Sequence, residues 1–326
     1  MRGTDRVLTV PCSAASVGRA SDGFVRLLRG DARRMDAVSD GSVHLVVTSP
    51  PYPMIPQWDD VFRAQGASDY DAMHAVLDAA WRECHRVLVP GGILAVVVGD
   101  ALRRVDGEFR LWPNHASVLR GAGAAGFRPL PYILWKKPTN KPNAFLGSGF
   151  LPPNAYVTLD CEFVLLFRKG RLRQFPSHDP ERMASRFTRM ERDHWFSQVW
   201  SDVRGAPQRA GAERTGAFPS ELATRLIRMY SVRGDTVLDP FAGTGTTLWA
   251  AEALGRRAIG VEWDEDRFRR LVLSRSSREG ASPRERGAPM SPSVPSRAPV
   301  GRRASRRTGG RSPPRRRGGD TAAPNR

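Results

Sequence analysis

Two short stretches hold residues whose types and spacing suit chemistry. In the first, Thr48-Ser49-Pro50-Pro51-Tyr52 follows the apolar run Val43 to Val47. Consecutive prolines fix φ and cannot donate to a sheet ladder, so they end a strand and hold a rigid, extended turn. The turn offers the Ser49 hydroxyl, a Pro50 carbonyl whose following residue has no N–H, and the Tyr52 ring. Polar acceptors beside a flat apolar face suit a planar heterocycle that bears an amino group. Taken by itself, the same turn equally describes a proline-stiffened loop with a core tyrosine.

The second stretch is Asp239-Pro240-Phe241-Ala242-Gly243-Thr244-Gly245-Thr246-Thr247, between a predicted strand (Thr236 to Leu238) and a predicted helix ending at Gly255. Gly243 and Gly245 are expected to let backbone approach a ligand closely. The next predicted strand, Arg257 to Val261, closes with Glu262. That acid stands ~20 residues beyond the turn, the spacing at which a carboxylate meets ribose hydroxyls. The turn lacks the Gly-Lys-Thr/Ser of a Walker A loop and a full GxGxxG, which disfavours a nicotinamide cofactor. A third acid, Asp31, follows a candidate strand, Phe24 to Leu28. It suits a ligand amine or hydroxyl, and it suits equally the N-cap of a helix over the following DARRMDAV.

The elements that position these residues alternate. Val43 to Val47 and Ile93 to Val98 read as buried parallel strands. Between them, Ser68 is the predicted cap of a helix that buries Tyr70, Met73, Leu77, Trp81, Cys84 and Leu88 at helical spacing, and Pro90-Gly91-Gly92 ends it. Cys84 is therefore a core residue. A helix from Pro113-Asn114 to about Ala125 and a strand from Tyr132 to Trp135 continue the rhythm, and Ser220 is the predicted cap of a later helix, Glu221 to Tyr230. The fold class is α/β, a doubly wound, mostly parallel sheet, whose ligands bind at the carboxyl ends of the strands.

Residues 1–22 read as a loose extension, and 136–212 as an insertion that breaks the alternation. The insertion holds Lys136, Lys137 and Lys141 among Pro and Asn, one strand (Glu162 to Phe167), and a tract from Ser185 to Trp200 rich in Arg and aromatics, including Arg186, Arg189 and Arg192. Basic groups interleaved with rings suit phosphate contact and base stacking. From 274 to 326 the chain is Arg, Ser, Pro and Gly with 14 Arg and only three acids, a composition that cannot bury a core and predicts disorder. This tail carries +11 of the net charge of +18, which points to a polyanionic partner.

Cys12, Cys84 and Cys161 are scattered, with no spacing for zinc or for a disulfide framework, so no metal is expected and a reducing cytoplasm fits. The first 22 residues lack an apolar signal core, and no run approaches the ~20 apolar residues that span a bilayer.

Together the two motifs resemble those of DNA amino-methyltransferases that use S-adenosylmethionine, over residues 24–272. Supporting matches are Arg86-Val87-Leu88 before Pro90-Gly91-Gly92, Trp135-Lys136-Lys137-Pro138, and Ala217-Phe218-Pro219. The resemblance implies a Rossmann-like class I methyltransferase fold in the β-type motif order. A catalytic half would span 23–135, a target-recognition insertion 136–212, and a cofactor-binding half 213–273. It also implies that Asp239 to Thr247 hold the methionine part of S-adenosylmethionine, Glu262 the ribose and Asp31 the adenine, and that Ser49 to Tyr52 hold an extruded base of double-stranded DNA. A cognate restriction endonuclease is a further implied partner. In that family Ser at the first position of the turn is associated with cytosine N4 and Asp more often with adenine N6, so cytosine N4 is expected and adenine N6 is the alternative; a noncatalytic DNA-binding protein with a vestigial cofactor site is a third reading, against which the intact motifs count. Cytosine C5 chemistry needs a cysteine nucleophile, and the one Pro-Cys pair, Pro11-Cys12, lies away from both motifs.

Overall fold

Runs of Val, Ile and Leu form the strands, and amphipathic stretches between them form the helices. The computed structural model describes residues 7–10, 25–137, 153, 157–206 and 216–279. The first half contains β1 (Val7–Val10), β2 (Val25–Arg29), β3 (Val43–Thr48), α1 (Asp59–Ala64), α2 (Tyr70–Val87) and β4 (Leu88–Val98). A hairpin of β5 (Ala101–Val105) and β6 (Glu108–Trp112) leads to α3 (Asn114–Ala124), β7 (Phe127–Pro129) and β8 (Ile133–Lys136). Then come β9 (Cys161–Lys169), α4 (Pro180–Ala184), α5 (Arg189–Trp195), β10 (Val199–Trp200) and α6 (Ser220–Tyr230). The last elements are β11 (Thr236–Asp239), α7 (Thr246–Ala253), β12 (Arg257–Glu262) and α8 (Glu265–Glu279).

Nine strands run in the order β1-β2-β12-β11-β3-β4-β9-β8-β10, and β7 also pairs with β9. The central five, β2, β12, β11, β3 and β4, are parallel, and β9 runs against β4 and β8. Because side chains alternate across a strand, β3 feeds both faces. Leu45 and Val47 pack with Leu222 and Leu226 of α6 and Leu248 of α7, while Val46 packs with Met73, Leu77 and Trp81 of α2. From β11 the chain winds outward through α7 to β12, and from β3 it winds the other way through α2 to β4. The winding reverses between β11 and β3, where open α/β sheets leave a crevice for ligands.

Several local expectations are corrected. Val7–Val10, inside the expected loose extension, pairs antiparallel with β2, where its backbone satisfies an otherwise open edge. No helix follows Asp31; the carboxylate accepts from Arg33 N at 2.9 Å and holds a turn. The α2 cap is Asp69, which accepts from Ala72 N at 2.8 Å, rather than Ser68. Pro90-Gly91-Gly92 lies within β4, which bulges there against β3. Pro219 occupies the cap position of α6, with no side-chain cap bond, and Ser220 is its first helical residue. Helix α8 continues past 274 to Glu279, because Arg275 is buried (4% exposed) and paired with Glu252. Lys141 and the tail from 280 on lie outside the described residues. No described helix is long and apolar enough to cross a membrane.

Candidate active site

Four parallel strands end side by side, and each delivers a residue singled out in the sequence. In sheet order these are Asp31 after β2, Glu262 at the end of β12, Asp239 at the end of β11 and Ser49 after β3. The backbone ties the ends together, since Gly30 N donates to Glu262 O at 3.0 Å and Ala242 N to Val261 O at 2.9 Å. Thr48 Oγ1 donates to Asp239 Oδ1 at 2.7 Å, and Phe241 N donates to the same oxygen at 3.1 Å. Burial pushes the Asp239 carboxyl up to about 6 despite those bonds.

A cavity of about 470 Å³ opens over these ends. Asp31, Ser49, Pro51, Asp239, Phe241, Ala242, Gly243, Thr244, Thr246 and Glu262 line it. Trp58, Val61 and Val76 give it an apolar wall, and Trp263, Asp264 and Arg267 close one side. Arg267 lies over the Trp58 ring at 5.0 Å. The sequence reading missed this wall, because its members come from α1 and the turn before it, from α2, and from α8 and the two residues before it, and nothing local to Trp58 or Arg267 marks them as partners.

The glycine-rich turn divides by role. Gly243 has φ +51, and a Cβ there would meet only Phe241 O, at 3.7 Å, so that space belongs to the cavity. Its N–H donates to Glu262 Oε2 at 2.8 Å, and Asp264 N donates to Oε1 at 3.0 Å. Burial raises the Glu262 carboxyl above its ordinary range, and the two amides oppose the rise. Gly245 is different: it has φ +80, and a Cβ there would stand 2.6 Å from both Leu271 Cδ1 and Trp249 Nε1, so backbone conformation and packing, not close approach to a ligand, require this glycine. Thr247 is fully buried and donates to Val47 O at 3.2 Å, joining α7 to β3. Neither Gly245 nor Thr247 lines the cavity.

Asp31 faces the cavity while its carboxylate is held by the Arg33 guanidinium at 2.6 Å. The positive φ of Gly243, a buried acid with two backbone donors and an aromatic wall form a cradle that fits an adenosyl ligand.

The Ser-Pro-Pro-Tyr turn is braced from below. Fully buried Asn114 donates to Pro53 O and Gly99 O, each at 3.0 Å. With both amide hydrogens used, its Oδ1 accepts from His74 Nε2 at 3.2 Å. Burial lowers the His74 pKa to about 4, so the ring is neutral. The bracing holds Met54 at φ +63, in the left-handed region. On the turn itself Ser49 Oγ donates to Tyr52 OH at 3.1 Å, and Tyr52 OH donates to Glu162 Oε2 at 3.2 Å. Lys137 pairs with the other Glu162 oxygen, and Lys136 reaches Asp160 at 3.6 Å.

Lys136 and Lys137 therefore stand at the active end of the sheet. The three arginines do not. Arg186 follows Ser185, whose hydroxyl accepts from Arg233 N at 3.0 Å, at the amino end of β11. Arg189 and Arg192 are exposed on α5, whose Glu191 pairs with Arg228 in the last turn of α6, ahead of the amino end of β11, and they reach Asp193 at 3.6 and 3.4 Å. Cys84 is fully buried in the α2 core, and burial pushes its thiol up. Among the described residues no His, Cys, Asp or Glu cluster forms a metal site.

The arrangement matches known proteins. Residues 43–273 match the family model described as DNA methylase, of N6/N4 type. The chain is 52% identical over 264 residues to the Type II methyltransferase M.MjaI of Methanocaldococcus jannaschii, covering 74% of this chain and 87% of that protein. It is 44% identical to the Type II methyltransferase M.MthZI of Methanothermobacter thermautotrophicus, covering 74% of this chain and 73% of that one. The putative DNA modification methylase TTHA0409 of Thermus thermophilus, solved in complex with S-adenosyl-L-methionine, superposes with a TM-score of 0.62 at 40% identity, over 77% of this chain and 94% of the other. PvuII DNA methyltransferase (cytosine-N4-specific) shares the fold, with a TM-score of 0.55 at 18% identity over 76% of this chain and 85% of its own. With the matching model spanning most of the chain, this protein belongs to the DNA methylase family of N6/N4 type.

Proposed function

We propose that this DNA methylase transfers a methyl group to the exocyclic N4 of cytosine in duplex DNA, with S-adenosylmethionine as its cofactor. The observation that carries the reading is Ser49 at the head of the turn, lining the same cavity as the Gly243 cradle and Glu262. The complex of TTHA0409 with S-adenosyl-L-methionine supports the cofactor. When bound, it supplies an electrophilic methyl carbon on a sulfonium. The protein's task is then to position the acceptor. An exocyclic amino nitrogen is a poor nucleophile because its lone pair is delocalised into the ring. Hydrogen bonds from its N–H groups to Ser49 Oγ and the Pro50 carbonyl favour a pyramidal nitrogen with the lone pair directed out of the ring plane. Tyr52 stacks on the base, a contact worth ~1–3 kcal/mol, and the base leaves the duplex to reach it. The nitrogen becomes acidic only after alkylation, so no strong base is required in the turn. The tract 136–212 is proposed to read the target, with Lys137 joined to the turn through Glu162.

The test is expression in a methylation-free host, followed by digestion of its DNA to nucleosides and mass spectrometry. N4-methylcytosine is expected. N6-methyladenine alone would overturn the cytosine assignment and leave the fold standing. Ser49→Ala keeps the turn and the ring, so turnover is expected to fall by ~10²-fold, with DNA affinity changed by only ~1 kcal/mol. Near-normal turnover would remove Ser49 from the reaction.

A further inference from the structure

Glu162 sits on β9, outside both motifs, 110 residues from Tyr52, yet it touches the catalytic turn. Its side chain is mostly buried (17% exposed). The contact is built closely: a Cβ on Gly99 would stand 3.1 Å from Glu162 Cγ and 3.2 Å from the Tyr52 ring. Lys137 pairs with Oε1, which leaves Oε2 for the tyrosine hydroxyl.

We infer that Glu162 is a positioning residue for methyl transfer: clamped by Lys137, it fixes the direction of the hydrogen-bond chain through Tyr52, so that Ser49 Oγ meets the target amino group as an acceptor. The inference rests on the proposed reaction. An ionised carboxylate can only accept. Tyr52 OH must therefore donate to it, and the tyrosine oxygen is left to accept from Ser49. With its one hydrogen committed to Tyr52, Ser49 presents only lone pairs to the cavity. An amino group arriving there donates, and no competing Ser49 O–H points back at it. Burial and the Glu162 charge push the Tyr52 hydroxyl well above its ordinary pKa, so it keeps the proton that the chain requires.

Glu162→Gln tests this, because it is nearly isosteric and reverses the chain. Lys137 needs an acceptor, so the amide oxygen turns to it and the NH₂ turns to Tyr52. Tyr52 then accepts from the amide and donates to Ser49, occupying a lone pair meant for the substrate. On unmethylated plasmid DNA with labelled S-adenosylmethionine, Glu162→Gln is expected to lower kcat on the order of 10-fold. KM for DNA is expected to stay within about twofold and the melting temperature within about 2 °C, since the change removes no apolar contact. In a Tyr52→Phe background the chain is already broken, so Glu162→Gln should add nothing. An unchanged kcat in the single variant would overturn the inference, and so would the same fold-loss in the Tyr52→Phe background. An inactive parent enzyme would overturn the proposed reaction and this inference with it. An active parent whose Glu162→Gln variant keeps its kcat would overturn the inference alone.

Discussion

Thr48 and Asp239, 191 residues apart, share a 2.7 Å hydrogen bond across the line where β3 and β11 lie side by side. Both are buried, at 0% and 3% exposure. The bond joins the strand that leads into the Ser-Pro-Pro-Tyr turn to the strand that leads into the glycine-rich turn. Each turn's position is thus fixed by the other's.

Thr48→Val keeps the shape and removes the donor. A hydrogen bond to a charged, buried acceptor contributes roughly 1.5–3 kcal/mol. Denaturant unfolding at pH 8 is expected to show a loss of that size, and a loss below about 0.5 kcal/mol would show that the contact is incidental.

Asp239 should make the fold less stable as the pH rises. Its carboxyl titrates near 3.8 in the unfolded chain and at about 6 when folded. The folded protein therefore holds more protons across that window, and stability falls as pH climbs through it. The whole difference amounts to ~3 kcal/mol. Asp239→Asn, which can still accept from Thr48 and Phe241, is expected to be about 1–3 kcal/mol more stable than the parent at pH 8 and to lack the gain below pH 4. A less stable variant at pH 8 would refute the burial argument.

The two glycines of the glycine-rich turn should fail differently. Gly243→Val places a side chain in the cavity at positive φ, where the backbone strain is ~1–2 kcal/mol. The fold is expected to survive while S-adenosylmethionine affinity drops by ~100-fold or more in calorimetry, since the cradle is filled. Gly245→Ala forces a methyl group against Leu271 and Trp249. It is expected to lower stability by about 2–4 kcal/mol through overpacking and strain. Equal effects at the two positions would contradict the division of roles.

Truncation should find a sharp boundary inside α8. A chain ending at Glu279 keeps the buried Arg275–Glu252 pair, and its melting temperature should match that of the full chain. One ending at Ser274 strands Glu252, which is 23% exposed. A loss of roughly 2 kcal/mol is expected there, less than for a fully buried pair. Equal melting temperatures for the two truncations would show that the last turns of α8 contribute nothing.

What the sequence made legible was local. Val43 to Val47 and the two motif turns carry their instructions within a few residues, through β-branched runs, paired prolines and glycines. The row of Asp31, Glu262, Asp239 and Ser49 followed from the resemblance and from strand ends. What stayed hidden was set by tertiary packing. Nothing near Gly245 says that Leu271 and Trp249 fill its surroundings, and nothing near Glu162 points to Tyr52. Composition suggests Arg186, Arg189 and Arg192 for DNA contact, and composition carries no information about which end of a sheet a segment occupies. The β5–β6 hairpin is a different case. Its Asp106-Gly107 turn has φ of +52 and +81 between two paired strands, and Asp-Gly between such strands is a local signal that the sequence does contain.

β2 and β3 follow one another in the chain yet are separated in the sheet by β12 and β11, which come some two hundred residues later. During synthesis the inner edge of β2 therefore has no neighbour until Glu262 has been made and the late β11-α7-β12 unit slots between two strands already present. Pairing over such separations folds slowly and leaves an unpaired edge exposed meanwhile. A nascent or prematurely terminated chain has its proline turn but neither Gly243 nor Glu262, so its cavity is incomplete until the late segment arrives. The same geometry makes the protein a natural subject for fragment complementation, with activity returning only when the late unit is supplied.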